Sequence, residues 1–172
     1  MTMEALLDPT GMDERSDEST LSPRPTSLRG LSIGLLDNTK VNATQLLEEI
    51  SKLLKEQYGA GDARLYTKDY FGTPVKEELL EQIVADSDIV VTAVGDCGSC
   101  SAATVADGPL FALAGVPTVS ILSSAFYPAR QAVAPVQAFP GLDFAPAPTP
   151  RAHRATATRP FPSRRPSPLI TV

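Results

Sequence analysis

The chain has 172 residues, 42% of them hydrophobic, which allows one ordinary domain with a buried core plus tails. No run approaches the ~20 consecutive apolar residues of a membrane-spanning helix, and no basic and apolar leader opens the chain, so we expect a cytoplasmic protein without a membrane partner. Of the 15 basic residues, five arginines follow the last acid, Asp143, which leaves 10 against 20 acids in the body. Such an acidic body disfavours nucleic acid as a partner.

The N-terminal part of the chain predicts an arm followed by a strand and a turn. Residues 1–30 mix acids with Ser, Thr and Pro and show no sustained period, which is typical of an extended or disordered arm. The apolar run at 31–36 predicts a buried strand. The polar residues 37–40 follow it directly and end the strand.

The first helix begins near Asn42, because Asn42 and Gln45 have the spacing of a capping box. Gly59 and Gly61 end it. One face of this helix is apolar at a period of 3.6 residues. The residues of that face are Ala43, Leu46, Leu47, Ile50, Leu53 and Leu54.

The middle of the chain predicts a second strand at 63–67 and a third at 89–94. Between them a second helix is predicted to start at Thr73 and Pro74, because proline suits the first helical position. Its residues that would face the sheet are Val75, Leu79, Leu80, Ile83 and Val84.

A third helix is expected to begin near Ser101 and to be broken or kinked at Gly108 and Pro109. A fourth strand is predicted at 117–122, and a poor fourth helix at 126–138.

Alternating strands and helices predict a three-layer α/β sandwich over 31–143, with a mostly parallel sheet of about four strands, flavodoxin-like or Rossmann-like. In such sheets ligands bind beyond the carboxyl ends of the strands. This rule would gather residues 37–40, 95–100 and 123–126 into a single crevice.

The composition changes abruptly after Asp143, where 145–172 hold seven prolines and five arginines. Such a segment buries too little apolar surface to offset its ordering entropy, which predicts a disordered tail over 144–172. The abrupt Pro/Arg mixture is also typical of a frameshift or mis-splicing product.

Both cysteines, Cys97 and Cys100, follow the third predicted strand and precede a helix. Free N–H groups and the positive end of the helix dipole point at such a loop and favour the thiolate that redox chemistry needs. Two small buried residues in a tight turn are the alternative. A structural zinc site needs four ligands, and only His153, Asp37, Asp96 or a second subunit could add to the two thiols.

Several short motifs together resemble the UGSC family, named for the selenocysteine-Gly-Ser-Cys motif of some members. They span roughly 7–126 and are Asp8 to Gly11, Pro23 to Pro25, Ile33 to Lys40 with Asn42, Val94 to Ser101, and Gly115 to Thr118. A weaker similarity links the loop, Ala103-Thr104 and Gly115-Val116-Pro117 to the selenoprotein component of glycine and proline reductases. The resemblance implies a thiol or selenol oxidoreductase, at least one more strand after Asp143, and a C-terminal segment that the basic tail replaces.

On this resemblance Cys97 attacks, Cys100 resolves, and a disulfide joins them. Asp96 is the third candidate catalytic residue, although its charge could raise the pKa of Cys97 and it could equally be a loop acid. Lys40 could stabilise the thiolate or bind an anionic substrate, or simply face solvent. The candidate substrate-binding residues are Asp37, Asn38, Thr39, Lys40, Gly98, Ser99 and Ser101.

The expected substrate is a small-molecule or protein thiol, and a homo-oligomer or a partner enzyme is left open. No cofactor or metal is expected, because Gly59-x-Gly61 follows a helix and no three-glycine nucleotide loop is present. Two alternatives remain: a non-catalytic accessory or binding protein of a biosynthetic pathway, and a metal-binding module through Cys97 and Cys100.

Overall fold

The structure, a computed structural model, describes residues 22–126 and 144–147. Strands and helices alternate, which confirms the predicted α/β class. The elements in chain order are β1 (Ile33–Asp37), α1 (Ala43–Tyr58), β2 (Ala63–Thr67), α2 (Glu77–Asp86), β3 (Ile89–Gly95), α3 (Gly98–Leu113), β4 (Thr118–Ser123) and β5 (Phe144–Ala147). No helix of the described residues is long and apolar enough to cross a membrane.

The sheet has five parallel strands in the order β2-β1-β3-β4-β5. This is the flavodoxin-like order, in which the chain crosses to the other side of β1 after β2. The switch point therefore lies between the carboxyl ends of the neighbouring strands β1 and β3. Leu35 pairs with Leu65 on one side and with Val91 on the other, so all three strand ends meet at one edge.

Apolar side chains on the two faces of the sheet form two separate cores. On one face, Leu47 of α1 packs in a cluster with β-strand residues, including Ile33 and Val91. On the other face, Ile83 of α2 and Phe111 of α3 pack in a second cluster. One helix on one face and two on the other give the three predicted layers.

The fifth strand follows Asp143, where the family resemblance implies a further strand, and it lies within the segment whose composition predicts a disordered tail. Residues 144–147 pair with β4 from Ser120 to Ser123, and the Ser124 N–H donates to the Ala147 carbonyl at 2.7 Å. Proline has no N–H to donate, but an edge strand forms ladder hydrogen bonds on one side only, so Pro146 is compatible with this position. Three predicted segments lie wholly or partly outside the described residues: 1–21 of the arm predicted at 1–30, 127–138 of the helix predicted at 126–138, and the tail beyond 147.

The predicted capping box of α1 is wrong. Asn42 is the residue before the helix, but its φ of 67° is left-handed and its side chain makes no capping hydrogen bond. Gly59 ends α1 as predicted, with a φ of 68° that suits glycine. Leu53, expected on the buried face of α1, is instead 46% exposed.

The predicted start of α2 at Thr73-Pro74 is also wrong. Lys76 precedes the helix in an extended conformation, and the Val75 N–H donates to the Asp107 carboxylate at 2.7 Å. Because that hydrogen bond holds Val75 outside the helix, α2 begins only at Glu77. Val75 and Ile83 are nevertheless buried as predicted, with Leu79, Leu80 and Val84 packed around them.

Helix α3 begins three residues before the predicted position and is not broken at Gly108-Pro109. It continues to Leu113 with Pro109 inside it. A proline ring normally clashes with the Cβ of the preceding residue in a helix, and Gly108 has no Cβ. Both residues are buried, so tertiary packing also supports this turn.

The described part of the arm packs back on the domain. Ser22 is buried and donates its hydroxyl to the Ala112 carbonyl at 2.7 Å. Arg29 forms an antiparallel bridge with Ala60, and Leu28 contacts the core on the α1 face. Residues 22–29 therefore belong to the folded unit.

Candidate functional site

The candidate site lies at the switch point of the sheet. Lys40 follows β1, and Asp96, Cys97 and Cys100 follow β3, so the order of the strands brings them together. The Lys40 Nζ lies 3.1 Å from Asp96 Oδ1. We call these four residues the thiol site. Of the residues 123–126, Ser123 ends β4 and the others follow it at the same edge of the sheet.

Gly95 allows α3 to start close against the sheet. A Cβ on Gly95 would lie 2.2 Å from Leu122 Cδ2 and 3.0 Å from the Cα of Ser101. Because the Ser101 contact is with backbone, any side chain at position 95 would push the first turn of α3 away from β3 and β4. The sequence therefore needs glycine here to hold the cysteines at the strand end.

Cys97 is the residue that caps α3. Its Sγ accepts the Cys100 N–H at 3.3 Å and lies 3.7 Å from the Ser99 hydroxyl. Partial burial raises the pKa of Cys97, but hydrogen bonds from Cys100 and Ser99 and the charge of Lys40 outweigh it. The pKa of Cys97 therefore lies below its ordinary value, and the sulfur remains partly accessible.

Cys100 is fully buried, and its Sγ completes the cap. It accepts the N–H groups of Cys97 at 2.9 Å and of Asp96 at 3.2 Å, and its thiol donates to Asp96 Oδ1 at 3.2 Å. Burial, followed by the neighbouring Cys97 and Asp96, raises the pKa of Cys100 to about 12. The two thiols are free and lie in different environments: Cys97 is half-buried with a lowered pKa, and Cys100 is buried with a raised pKa.

Lys40 supplies the positive charge of the thiol site, beside the Asp96 carboxylate and the Cys97 thiol. The hydrogen bond to Asp96 raises the pKa of Lys40 above its ordinary value, so it stays charged. Its Nζ also lies 4.9 Å from the ring centroid of Phe71. The expected repulsion between Asp96 and a Cys97 thiolate is thus offset by an adjacent positive charge.

Asp37 and Asn38, expected to bind substrate, are buried and hydrogen-bonded within the domain. The Asp37 carboxylate accepts the Thr39 N–H at 2.6 Å and the Thr44 hydroxyl. The Asn38 amide bonds both the N–H and the carbonyl of Val94 and also the Thr104 hydroxyl. These contacts join the end of β1 to β3 and α3, which fixes the loop that carries Lys40.

The other substrate-binding candidates lie in three different environments. Thr39 is exposed and has a φ of 64°, a left-handed conformation that is unusual for a β-branched residue. Gly98 and Ser99 are exposed in the first turn of α3. Ser101 is buried, and its hydroxyl finds no hydrogen-bond partner among residues 22–126 and 144–147.

A buried ion pair that the sequence does not reveal lies beside the thiol site. Lys68, directly after β2, reaches Asp107 in α3 with its Nζ 2.9 Å and 3.2 Å from the two carboxylate oxygens. The carboxylate also accepts the Val75 N–H at 2.7 Å and the Thr92 hydroxyl at 3.4 Å. We call Lys68 and Asp107 the anchor pair.

A surface groove of about 310 Å³ lies on the outer side of the 68–76 loop and does not include the cysteines. Asp69 and Lys76, which line it, pair with each other at 2.5 Å. The groove is thus separate from the thiol site, where Cys97 and Lys40 are half-buried and Asp96 is exposed.

Asp96, Cys97 and Cys100 also have the geometry of a partial metal site. Their ligand atoms lie within 4.8 Å of one another. Two thiolates and a carboxylate suit a soft or borderline divalent ion such as zinc. Lys40 opposes this use, because its ammonium group already pairs with the carboxylate.

Fold and site together define a parallel α/β protein with two unequal thiols at the switch point of its sheet. A model of the UGSC family matches residues 5–158, and the chain belongs to this family. The match includes β5 and extends past the roughly 7–126 expected from the motifs. A comparison with curated proteins finds no match.

Proposed function

We propose that the protein is a thiol-dependent oxidoreductase in which Cys97 is the nucleophile and Cys100 the resolving thiol. The observation that carries the proposal is the contrast between the sulfurs. Cys97 is accessible and its pKa lies below the ordinary value, whereas Cys100 is buried with a pKa of about 12. An attacking thiolate needs the first environment, and a resolving thiol needs only to be close to it.

The reaction proceeds by exchange with a disulfide of a small molecule or protein. The Cys97 thiolate attacks one sulfur of that disulfide, and the other sulfur leaves as a thiolate. The Cys100 sulfur then attacks Cys97 Sγ, which releases the second substrate thiol and forms the Cys97–Cys100 disulfide. The substrate disulfide gains the two electrons that the two cysteines lose, and in reverse the protein oxidises a dithiol.

Asp96 has a role in the second step. Cys100 must lose its proton to attack, and its thiol already donates to Asp96 Oδ1 at 3.2 Å. The carboxylate takes up that proton and, because it is exposed, returns it to solvent. Lys40 keeps the site from accumulating negative charge while Cys97 is ionised. This chemistry requires a compartment in which thiols persist, such as the cytoplasm.

The test is the reaction of the reduced protein with a small aliphatic disulfide, followed by mass spectrometry. The wild type is expected to release both small thiols and to form an internal disulfide. Cys100→Ser should stop at a mixed disulfide on position 97, and Cys97→Ser should not react at neutral pH. A Cys97→Ser protein that reacts as fast as wild type would contradict the assigned roles.

A metal-binding module is the second candidate, favoured by the three ligand atoms within 4.8 Å. Titration of the reduced protein with zinc, monitored with a colorimetric chelator, separates the two functions. Stoichiometric zinc that protects both thiols and is lost in Asp96→Asn supports the metal site. Thiols that remain reactive in the presence of zinc support the oxidoreductase.

A non-catalytic accessory protein is the third candidate. An interruption of the helix after the cysteines at Gly108-Pro109 would favour it, but α3 continues through these residues. The basic tail, which could bind an anionic partner, lies outside the described residues. The accessory function remains the outcome to accept if neither disulfide exchange nor zinc binding is found.

A further inference from the structure

The loop of residues 68–76, between β2 and α2, contacts the thiol site from the side. Phe71 in this loop lies with its ring 4.9 Å from the Lys40 Nζ, and Tyr70 packs against Phe71 at 4.5 Å between ring centroids. Lys40 is thus held between the Phe71 ring and the Asp96 carboxylate. A cation over an aromatic face is attracted by the ring quadrupole.

This loop is fixed at both ends by one carboxylate. Asp107 pairs with Lys68 at its start and accepts the Val75 N–H near its end. Asp107 belongs to α3, the same helix that Cys97 caps. The position of Phe71 is therefore tied to the helix that carries the thiols, and the buried pair leaves the loop little freedom to move away.

We propose that Phe71, held by the anchor pair, is a positioning residue that keeps the Lys40 ammonium group against Asp96 and near the Cys97 thiolate. This inference rests on the proposed function of Cys97. Phe71 touches neither sulfur and acts through Lys40. Without the ring, the four-carbon stem of Lys40 is free to turn its charge toward solvent, and less positive charge remains near the thiol.

The experiment measures the pH profile of Cys97 alkylation by iodoacetamide in the reduced full-length protein. Phe71→Leu keeps apolar volume and removes the aromatic face. We expect the apparent pKa of Cys97 to rise by about 0.3 to 0.7 units, so that alkylation at pH 7 slows about two- to fivefold. Phe71→Tyr keeps an aromatic face and should retain the wild-type profile.

A double-mutant cycle shows whether Phe71 acts through Lys40. Lys40→Met should raise the pKa of Cys97 at least as much as Phe71→Leu does. In the Lys40→Met background, Phe71→Leu should have no further effect. Tyr58→Leu, an exposed aromatic at the far end of α1, is the matched control and should change nothing.

Specific results of these experiments would contradict the positioning role of Phe71. A Phe71→Leu profile identical to wild type, or an equal shift with and without Lys40, overturns the positioning role. If Asp107→Asn folds, it should shift the profile in the same direction as Phe71→Leu, and an unchanged profile would remove the anchor pair from the proposal. If it does not fold, the Phe71 variants decide. An ordinary pKa for Cys97 in the wild type itself would instead overturn the proposed function.

Discussion

Two lysine–aspartate pairs lie near the same edge of the sheet. They have the same chemical groups but differ in how deeply their side chains are buried. Lys40 and Asp96 are 3.1 Å apart with side chains 23% and 42% exposed, whereas Lys68 and Asp107 are 2.9 Å apart with side chains 3% and 0% exposed. The carboxylate of the buried pair accepts hydrogen bonds from Lys68 and Val75 of the 68–76 loop and from Thr92 of β3. The exposed pair remains in contact with solvent.

The difference teaches which pair can take part in a reaction. Burial raises the pKa of Asp107, against the opposing charge of Lys68, and such a pair persists only while every partner stays in place. Lys40 and Asp96 can exchange partners with water, a thiolate or a substrate at little cost. The buried pair therefore stabilises the structure around the thiol site, and only the exposed pair is able to change partners in a reaction there.

The largest expected effect comes from breaking the buried pair. Asp107→Ala leaves Lys68 charged and buried without a partner, which should lower the free energy of unfolding by about 3 to 5 kcal/mol. Asp96→Ala should cost no more than about 1 kcal/mol, because that pair is exposed. Urea unfolding of the reduced proteins measures both.

A double variant sharpens this result. Lys68→Met/Asp107→Leu removes both charges, so it should recover part of the loss seen in Asp107→Ala. Recovery should be incomplete, because the Val75 N–H loses its acceptor at 2.7 Å. Equal losses for Asp107→Ala and Asp96→Ala would show that the two pairs do not differ as their burial indicates.

The next effect concerns two glycines of the cysteine loop. A Cβ at Gly95 meets Leu122 and the Ser101 backbone, so Gly95→Ala should cost about 1 to 3 kcal/mol by overpacking. A Cβ at Gly98 meets nothing within 4 Å, and Gly98→Ala should be close to neutral. Thermal unfolding distinguishes them, and a larger loss for Gly98→Ala would contradict the close approach at Gly95.

Titration of the thiols tests the electrostatics of the exposed pair. Because the pKa of Cys97 is lowered, its alkylation should reach half of its maximal rate below the ~8.5 of a free thiol. Cys100→Ala keeps the backbone N–H that donates to Cys97 but removes the thiol. It should raise that midpoint more than Lys40→Met does, because the side-chain hydrogen bond from Cys100 lowers the pKa of Cys97 more than the charge of Lys40 does.

Stopped-flow alkylation between pH 5 and 10 measures these midpoints. Only one thiol per chain should react at neutral pH, since the pKa of Cys100 is about 12. Two thiols that titrate together near the ordinary value would contradict the contrast on which the proposed function rests.

The sequence predicts the sheet and the place of the thiols well, because both depend on local patterns. The strand at 63–67 is observed with the predicted bounds, and Lys40 meets Asp96 because parallel strand ends share one edge. The anchor pair could not be predicted in this way. Lys68 and Asp107 are 39 positions apart and are residue types that normally lie at the surface.

Other features do not follow from the sequence because a residue type that is uncommon in a structural role fills that role here. Cysteines cap α3 where serine, threonine or aspartate is expected, so the sequence predicts a helix start near Ser101, whereas the helix begins at Gly98. A proline lies in β5, and the Pro-rich composition of that region predicts disorder, so only the family resemblance indicates this short edge strand. The contact between Phe71 and Lys40 joins two loops, and no periodic pattern indicates it.

The smallest expected effect lies at Thr39, beside Lys40. Its φ of 64° is strained for a β-branched residue, whereas asparagine tolerates this conformation. Thr39→Asn should therefore increase the free energy of unfolding by about 0.5 to 1 kcal/mol, and more than Thr39→Gly, which also makes the unfolded chain more flexible. Thr67→Asn, at an exposed position in β2, is the control and should give no gain.

The rate at which Cys97 reacts in Thr39→Asn shows whether the strained backbone at Thr39 has a function. Strained residues of this kind collect at functional sites, where the surrounding structure holds them in place. Here the Thr39 N–H donates to Asp37 at 2.6 Å, and the same turn delivers Lys40 to the thiol site. If Thr39→Asn is more stable and exchanges with a small disulfide at the wild-type rate, Thr39 only shapes the turn. A stable variant with slower exchange but an unchanged Cys97 pKa would make the Thr39 side chain a substrate contact, because only substrate binding would then have changed.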